Sequence, residues 1–176
     1  MAALRLVELV VAQRNLRWAR AQGGIEVGAG HYPWMVLQHT AFLIAAPLEV
    51  WLLDRPWIPQ LAWTMVLVLV AAMGLRYWAI STLGKRWTTR VVCVPNLPAV
   101  TSGPYRFLRH PNYLAVILEI AALPLVHSAW LTAVIFSLLN AWMLKVRIEV
   151  EERAMNQYND YRALMEGRRR LVPTKS

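Results

Sequence analysis

Residues 61–83 read LAWTMVLVLVAAMGLRYWAISTL, and the fold turns on them. The run exceeds the roughly 20 apolar residues that a helix needs to cross a bilayer. Its one charge, Arg76, lies about two helical turns from the C-terminal end and can snorkel to the interface. The stretch therefore reads as a transmembrane helix. Working outward, three further segments share its character: Trp34 to about Leu53, Tyr113 to Val126, and Trp130 to Leu144. Only His127, Ser128 and Ala129 separate the last two, which predicts a tight helical hairpin. Pro124 would kink or end the Tyr113 segment, so its start must lie close to the interface. The composition agrees: 57% of residues are hydrophobic and 16% charged, against about 45–50% apolar in a soluble domain.

Charge orients these spans. With the N-terminus, residues 84–112 and the tail from Lys145 on one side, 17 of the 19 Lys and Arg lie on that side. Arg55 alone lies opposite. This is the positive-inside pattern, and it makes the basic side cytoplasmic. A net charge of +9 also fits nucleic-acid binding, but the basic residues sit at the ends of apolar runs and form no stripe interleaved with aromatics. A bilayer partner is expected and a nucleic acid is not. Residues 2–22 read as an amphipathic or partly inserted helix with a basic end at Arg14, Arg17 and Arg20. The order of charges does not match a cleavable signal peptide. Cys93 is the single cysteine, which excludes an internal disulfide and a cysteine metal cluster, so no metal site is expected. The expected fold is thus an all-α integral membrane protein. It has about four transmembrane helices, five if the N-terminal helix spans, in one domain over residues 1–176. A proline-framed loop, residues 84–112, and a C-terminal helix stand on the cytoplasmic side.

Three groups of residues could carry chemistry. The densest is Gly103-Pro104-Tyr105-Arg106-Phe107-Leu108-Arg109-His110-Pro111-Asn112-Tyr113. Arg109 supplies a fixed fork of donors and His110 a tunable one, and Pro111 can open the next helix and leave its first N–H groups free. Together they suit a carboxylate at the membrane surface, or equally a basic interfacial anchor for lipid headgroups. The second group, Asn140, Leu144, Arg147 and Glu151, shares one helical face, with Glu152 adjoining. Arg147 and Glu151 read either as an ordinary i,i+4 ion pair or as holders of a substrate and a cofactor. The third is Glu119, an acid inside a span and so a functional candidate by default, as a general base or as a polar contact between helices. Glu49 and His39 read as structural, and His127 as a turn residue. Glu26-Val27-Gly28-Ala29-Gly30 imitates a nucleotide-binding glycine loop, but it follows a basic helix and precedes a span, so the required βαβ context is missing.

The residues Thr101-Ser102-Gly103-Pro104-Tyr105, Arg109-His110-Pro111-Asn112-Tyr113 and Arg147 with Glu151-Glu152 resemble the isoprenylcysteine carboxyl methyltransferase family. Tyr158, Tyr161 and Leu171-Val172-Pro173 fit the same pattern, and the resemblance covers roughly residues 84–173. Arg14-Asn15, His31-Tyr32-Pro33 and residues 84–89 look like a bacterial branch that O-methylates alkylpyrones or alkylresorcinols beside type III polyketide synthases. The resemblance implies S-adenosylmethionine as methyl donor, S-adenosylhomocysteine as product, and a lipophilic small-molecule acceptor. It also implies a site on the cytoplasmic side of the bacterial inner membrane. Carried over, Tyr105, Arg109, His110, Pro111, Asn112, Tyr113 and Glu151 would contact the cofactor, and Leu97 to Val100 would line its pocket. Arg147 would face the substrate. A carboxylate or hydroxypyrone is already ionised near neutral pH, whereas a phenol, with a pKa of about 10, would benefit from a base such as Glu119 or His110. The Arg-His-Pro-Asn-Tyr turn also occurs in NADPH-dependent sterol reductases, which leaves a reductase as the alternative. A non-enzymatic membrane anchor would explain the topology but not the aromatic, proline-framed loop.

Overall fold

The computed structural model of the chain describes residues 2–159 and 161–171, with the backbone alone for residues 2–5. Val172 and Pro173 lie outside the described residues. The chain forms α1 (Ala2–Ala21), β1 (Ile25–Val27), α2 (Tyr32–Leu52), α3 (Pro59–Leu83), β2 (Val91–Cys93), α4 (Pro111–Leu125), α5 (Trp130–Tyr158) and α6 (Tyr161–Leu164). Pro59 and Pro111 each open a helix, where their missing N–H costs no bond. Among the described residues, three helices are long and apolar enough to cross a membrane, those containing α2, α3 and α5. The shorter apolar helix α4 is the remaining expected segment, the third in chain order. Its 15 residues rise about 22 Å against a hydrocarbon core of about 30 Å.

The helices pack in the order α3, α4, α5, α2. The α3–α4 seam is built from small residues, Ala72 and Ala79 facing Ala115 and Ala122, all buried. Small side chains let helix backbones approach closely where lipid supplies no hydrophobic drive for association. Arg76 and Glu119 sit within this seam and pair at 3.3 Å. The helix α1 is not among the candidate spans, and it packs against the turn that follows α3 and against β2. Its buried face runs Glu8, Ala12, Asn15, Ala19, which is helical spacing. Glu8 accepts from Arg76 at 3.0 and 3.1 Å, and the Asn15 amide donates to the carbonyls of Gly84 and Trp87. The opposite face of α1 exposes Leu6, Val7, Val10 and Val11. The amphipathic or partly inserted helix expected for the N-terminus is thus tied by its buried face to Arg76 and to the turn after α3.

At the other end of the bundle, α4 turns into α5 through Ser128, whose φ is +55°. Pro124 falls in the last turn of α4, one residue before its end. The helix α5 has no capping side chain of its own. The carboxylate of Glu49, from α2, takes that part and accepts the backbone N–H groups of Leu131 and Thr132 at 3.1 and 2.6 Å. Arg55 balances its charge at 2.9 Å.

The all-α reading holds, and two features extend it. A two-stranded antiparallel sheet, absent from the all-α reading, pairs Ile25 with Cys93 and Val27 with Val91. Each strand has only three residues, too few for a period-two pattern to stand out. The fourth span and the polar tail are also one helix. At 29 residues α5 is about 44 Å long, so its C-terminal part projects past the bilayer and carries Arg147, Glu151 and Glu152 toward the loop.

Candidate active site

One pocket lies where the C-terminal part of α5, the start of α4, the end of α1, the small sheet and α6 converge. The loop before α4 closes it. Gly103 makes this closure possible: its φ is +56°, and a Cβ there would stand 2.4 Å from Thr82 Oγ1 of α3. Tyr105, next in the turn, is thereby buried at the pocket wall.

Nine of the expected residues line this pocket: Leu97, Val100, Tyr105, Arg109, His110, Asn112, Tyr113, Arg147 and Glu151. Pro111 does not line it; it is fully buried as the first residue of α4 and sets the direction of that helix. Glu119 also lies outside the lining, bonded to Arg76 within the α3–α4 seam. Of its two sequence readings, this is the polar contact between helices. His110 Nε2 lies 3.1 Å from Glu152 Oε1, and its ring stacks on Tyr113 at 5.2 Å with an interplanar angle of 16°. The Tyr113 hydroxyl donates to Glu151 Oε2 and accepts from Arg147 Nε at 2.7 Å. One phenol thus joins the loop-side carboxylate to the membrane-side guanidinium.

The C-terminal tail forms a wall. Carbonyls of Arg168, Arg169 and Arg170 accept from Arg109 Nε, Arg109 N and His110 N at 2.7, 3.0 and 3.0 Å. Arg170 sets its guanidinium on Glu152, with its closest contact at 2.7 Å. Tyr161 and Met165, both buried, face the pocket from this tail. On the opposite wall Arg90 pairs with Glu26 and stacks on Tyr32 at 4.7 Å. The hydrogen bond from Arg90 holds the Glu26 carboxyl below its usual range.

Sequence reasoning missed Trp18, Trp87, Arg90, residues 91–93, Met155 and Asn159 as lining residues. Met155 and Asn159 were within reach, since they continue the 147, 151 face of α5 at four-residue steps. The strand residues and Trp18 arrive through pairing across more than 60 residues of sequence, which no local pattern encodes.

Among the described residues, three buried polar atoms at this pocket have no hydrogen-bond partner: Asn112 Oδ1, Asn159 Oδ1 and the Tyr161 hydroxyl. Buried polar groups are otherwise almost always satisfied. Burial pushes the Tyr105 and Tyr161 hydroxyls up in pKa, so both stay protonated at neutral pH. The pocket thus offers acceptors and a carboxylate beside an apolar strip of Val91, Val92, Val94, Leu97 and Val100. That combination suits a ligand with amino groups and a flat apolar part. Cys93 lies in the same strip, 2% exposed, and burial with the nearby Glu151 charge pushes its thiol up to about 11. Two pK units lower the thiolate fraction about 100-fold. Labelling of folded protein by N-ethylmaleimide at pH 7.5 is therefore expected to be at least about 100-fold slower than after unfolding in dodecyl sulfate. Comparable rates would show the strip to be open to solvent.

An uncharacterized protein of Bacillus subtilis, YpbQ, is 38% identical over 156 residues, covering 88% of this chain and 92% of its own length. An uncharacterized protein of Haemophilus influenzae is 28% identical over 157 residues, covering 88% and 90%. Residues 64–157, which run from the third helix through the loop to the exposed end of α5, match the isoprenylcysteine carboxyl methyltransferase family. That match spans more than half of the chain and most of the pocket lining, so the chain belongs to the isoprenylcysteine carboxyl methyltransferase family and is an integral membrane methyltransferase.

Proposed function

We propose that the protein transfers a methyl group from S-adenosylmethionine to an oxygen of a lipophilic acceptor, at the cytoplasmic face of a bacterial inner membrane. The observation that carries this reading is the set of polar atoms at the pocket without a partner among the described residues, Asn112 Oδ1, Asn159 Oδ1 and Tyr161 OH, beside the Glu151 carboxylate. S-adenosylmethionine has an amino acid end, ribose hydroxyls and an adenine, so it can satisfy all of them. When bound, it supplies a methyl group activated on a sulfonium.

The chain's own residues do the rest. Glu151 accepts from an ammonium or a ribose hydroxyl, held in place by the Tyr113 hydroxyl. Asn112 and Asn159 accept from amino groups. The strip from Val91 to Val100 receives the adenine. His110 and Tyr113, stacked and fixed by Glu152 and Arg147, form a rigid floor. The loop and the tail exclude water. Methyl transfer is an in-line displacement, so holding the two reactants in line supplies most of the catalysis. The clustering of 17 of 19 basic residues at this end supports a cytoplasmic site. Alkylpyrones, alkylresorcinols and prenylcysteine-like carboxylates are the candidate acceptors, the first two as products of a partner type III polyketide synthase.

Calorimetric titration of the detergent-solubilised protein with S-adenosylhomocysteine tests the reading. The wild type is expected to bind. Glu151→Ala and His110→Ala are each expected to weaken binding about 10–100-fold, the worth of a hydrogen bond to a charged group. A folded wild type that bound NADPH and not S-adenosylhomocysteine would replace this reading with the reductase.

A further inference from the structure

The C-terminal tail gathers more positive charge than it neutralises. Arg109, Arg168, Arg169 and Arg170 line one surface cleft, closed on one side by Leu171. Among the described residues, Glu152 is the one carboxylate that any of the four approaches, Arg170 at 2.7 Å and Arg109 at 3.8 Å. Arg168 Nη1 donates to the Met165 sulfur at 3.0 Å, a weak acceptor. The Arg169 side chain is exposed and makes no hydrogen bond or ion pair among the described residues. The backbone keeps the four together. Carbonyls of Arg168, Arg169 and Arg170 accept from Arg109 Nε, Arg109 N and His110 N, and Arg169 bridges to Leu108. Four guanidiniums held around one carboxylate repel one another and favour an added anion.

Helix register sets the level of this cleft. Glu119 of α4 pairs with Arg76 of α3 at 3.3 Å. From that pair α3 continues to Leu83 and α4 runs back to Pro111, nearly equal distances, so the two helix ends are level. Gly103, packed on Thr82 in the last turn of α3, agrees. The 25 residues of α3 rise about 37 Å, past a hydrocarbon core of about 30 Å and into the headgroup layer. The tail is bonded to residues 108–110, immediately before Pro111, and so lies in that layer. Phe107, adjoining the bridged Leu108, is 51% exposed there. An apolar ring beside a group of arginines matches the two parts of a phospholipid, acyl chain and phosphate. A soluble anion would need only the second.

We propose that this cleft is a headgroup site for an anionic phospholipid, its phosphate taken by Arg168 and Arg169, and that its occupancy steadies the tail as a wall of the pocket. A guanidinium presents parallel donors that fit phosphate oxygens, so the unpaired fork of Arg169 is the natural receptor. Arg170 stays on Glu152, which orients His110. Tyr161 and Met165 face the pocket from the same tail, so a lipid that fixes Arg168 and Arg169 also fixes that wall. The headgroup site needs only the membrane fold. Its effect on the pocket rests on the methyltransferase reading.

Dioleoyl-phosphatidylglycerol and dioleoyl-phosphatidylcholine, which share acyl chains and differ in headgroup charge, are titrated into the detergent-solubilised protein and counted by native mass spectrometry. The wild type is expected to prefer the anionic lipid at least about 10-fold. Arg169→Gln is expected to cut that preference about 5-fold, and the Arg168→Gln/Arg169→Gln pair to bring it within about 2-fold of none. Arg162→Gln removes the same charge from an exposed side chain outside the cleft, and is expected to leave the preference within about 2-fold of wild type. Should the pair misfold, Arg169→Gln decides alone, since its side chain holds nothing in place. An equal loss in Arg162→Gln means attraction by overall charge and overturns the site. No preference in the wild type overturns it too, and leaves the cleft to a soluble anion or an acidic protein. Inorganic phosphate at matched ionic strength is expected not to displace the lipid; displacement would make free phosphate the occupant and overturn the lipid. By linkage, S-adenosylhomocysteine is expected to bind about 5-fold more tightly with phosphatidylglycerol than with phosphatidylcholine. Equal affinities overturn the effect on the pocket. A wild type that takes phosphatidylglycerol but no S-adenosylhomocysteine defeats the methyltransferase reading and leaves the headgroup site standing.

Discussion

Arg76→Met is expected to destabilise the protein by about 3–5 kcal/mol, the usual cost of removing one partner from a buried ion pair. Arg76 of α3 receives Glu8 of α1 on one side at 3.0 Å and Glu119 of α4 on the other at 3.3 Å. All three are at most 8% exposed. The guanidinium thus ties three helices in a region where lipid gives no hydrophobic reason for helices to associate. Loss of the cation leaves two acids facing each other across the seam. Methionine matches the bulk of arginine, so the effect would report charge and not a cavity. Dodecyl sulfate titration in mixed micelles measures it, and a wild-type midpoint would show that the small-residue packing suffices without the ions. Because Arg76 and Glu119 lie outside the pocket lining, Glu119→Gln is expected to bind S-adenosylhomocysteine within about 3-fold of wild type, one hydrogen bond's worth at most.

The second large effect is expected at Glu152. This carboxylate takes His110 Nε2 at 3.1 Å and the Arg170 fork, with Arg109 Nη1 at 3.8 Å. Its side chain is 9% exposed. Glu152→Ala removes the group on which a pocket residue and the tail both converge. His110 loses the contact that orients its ring, and among the described residues the tail keeps its bonds to Arg109 and the His110 N–H and its bridge to Leu108. S-adenosylhomocysteine affinity is expected to fall about 30-fold or more, since hydrogen bonds to charged groups are worth about 1.5–3 kcal/mol each. Trypsin cleavage at Arg162, Arg168 and Arg169 should quicken in parallel. Arg170→Ala should have a smaller effect on both, because its side chain is 54% exposed and water screens the pair. Equal effects for the two variants would mean that Glu152 acts only through the tail. No effect of either would mean that the tail holds its place through the backbone alone.

Much of the pocket was legible because it is local. The segment from Arg109 to Tyr113 is a turn followed by one helical turn, and Arg147 and Glu151 are four apart on a helix, so geometry near each follows from neighbours in sequence. That the two sets meet was implied by resemblance, and the Tyr113 hydroxyl linking Glu151 to Arg147 is the contact that joins them. Glu119 shows the opposite case. An acid in an apolar helix has two sequence readings of equal standing, and only Arg76, 43 residues away, selects between them. Glu49 is similar: its service as a cap for α5 depends on Thr132, 83 residues away.

The sequence by itself determined which segments are apolar enough to enter a membrane, that the basic residues gather at the ends of those segments, and where the turns fall. Those properties come from transfer free energy and from local backbone stiffness, which act residue by residue. Only the tertiary structure decided that β1 meets β2, that α5 runs unbroken from the bilayer into the pocket, and that the tail closes on Arg109 and His110. It also decided that the Met35 sulfur meets Arg147, 112 residues distant. Such pairings depend on shape and on how buried polar groups find partners across the folded chain, and a one-dimensional pattern holds no record of either.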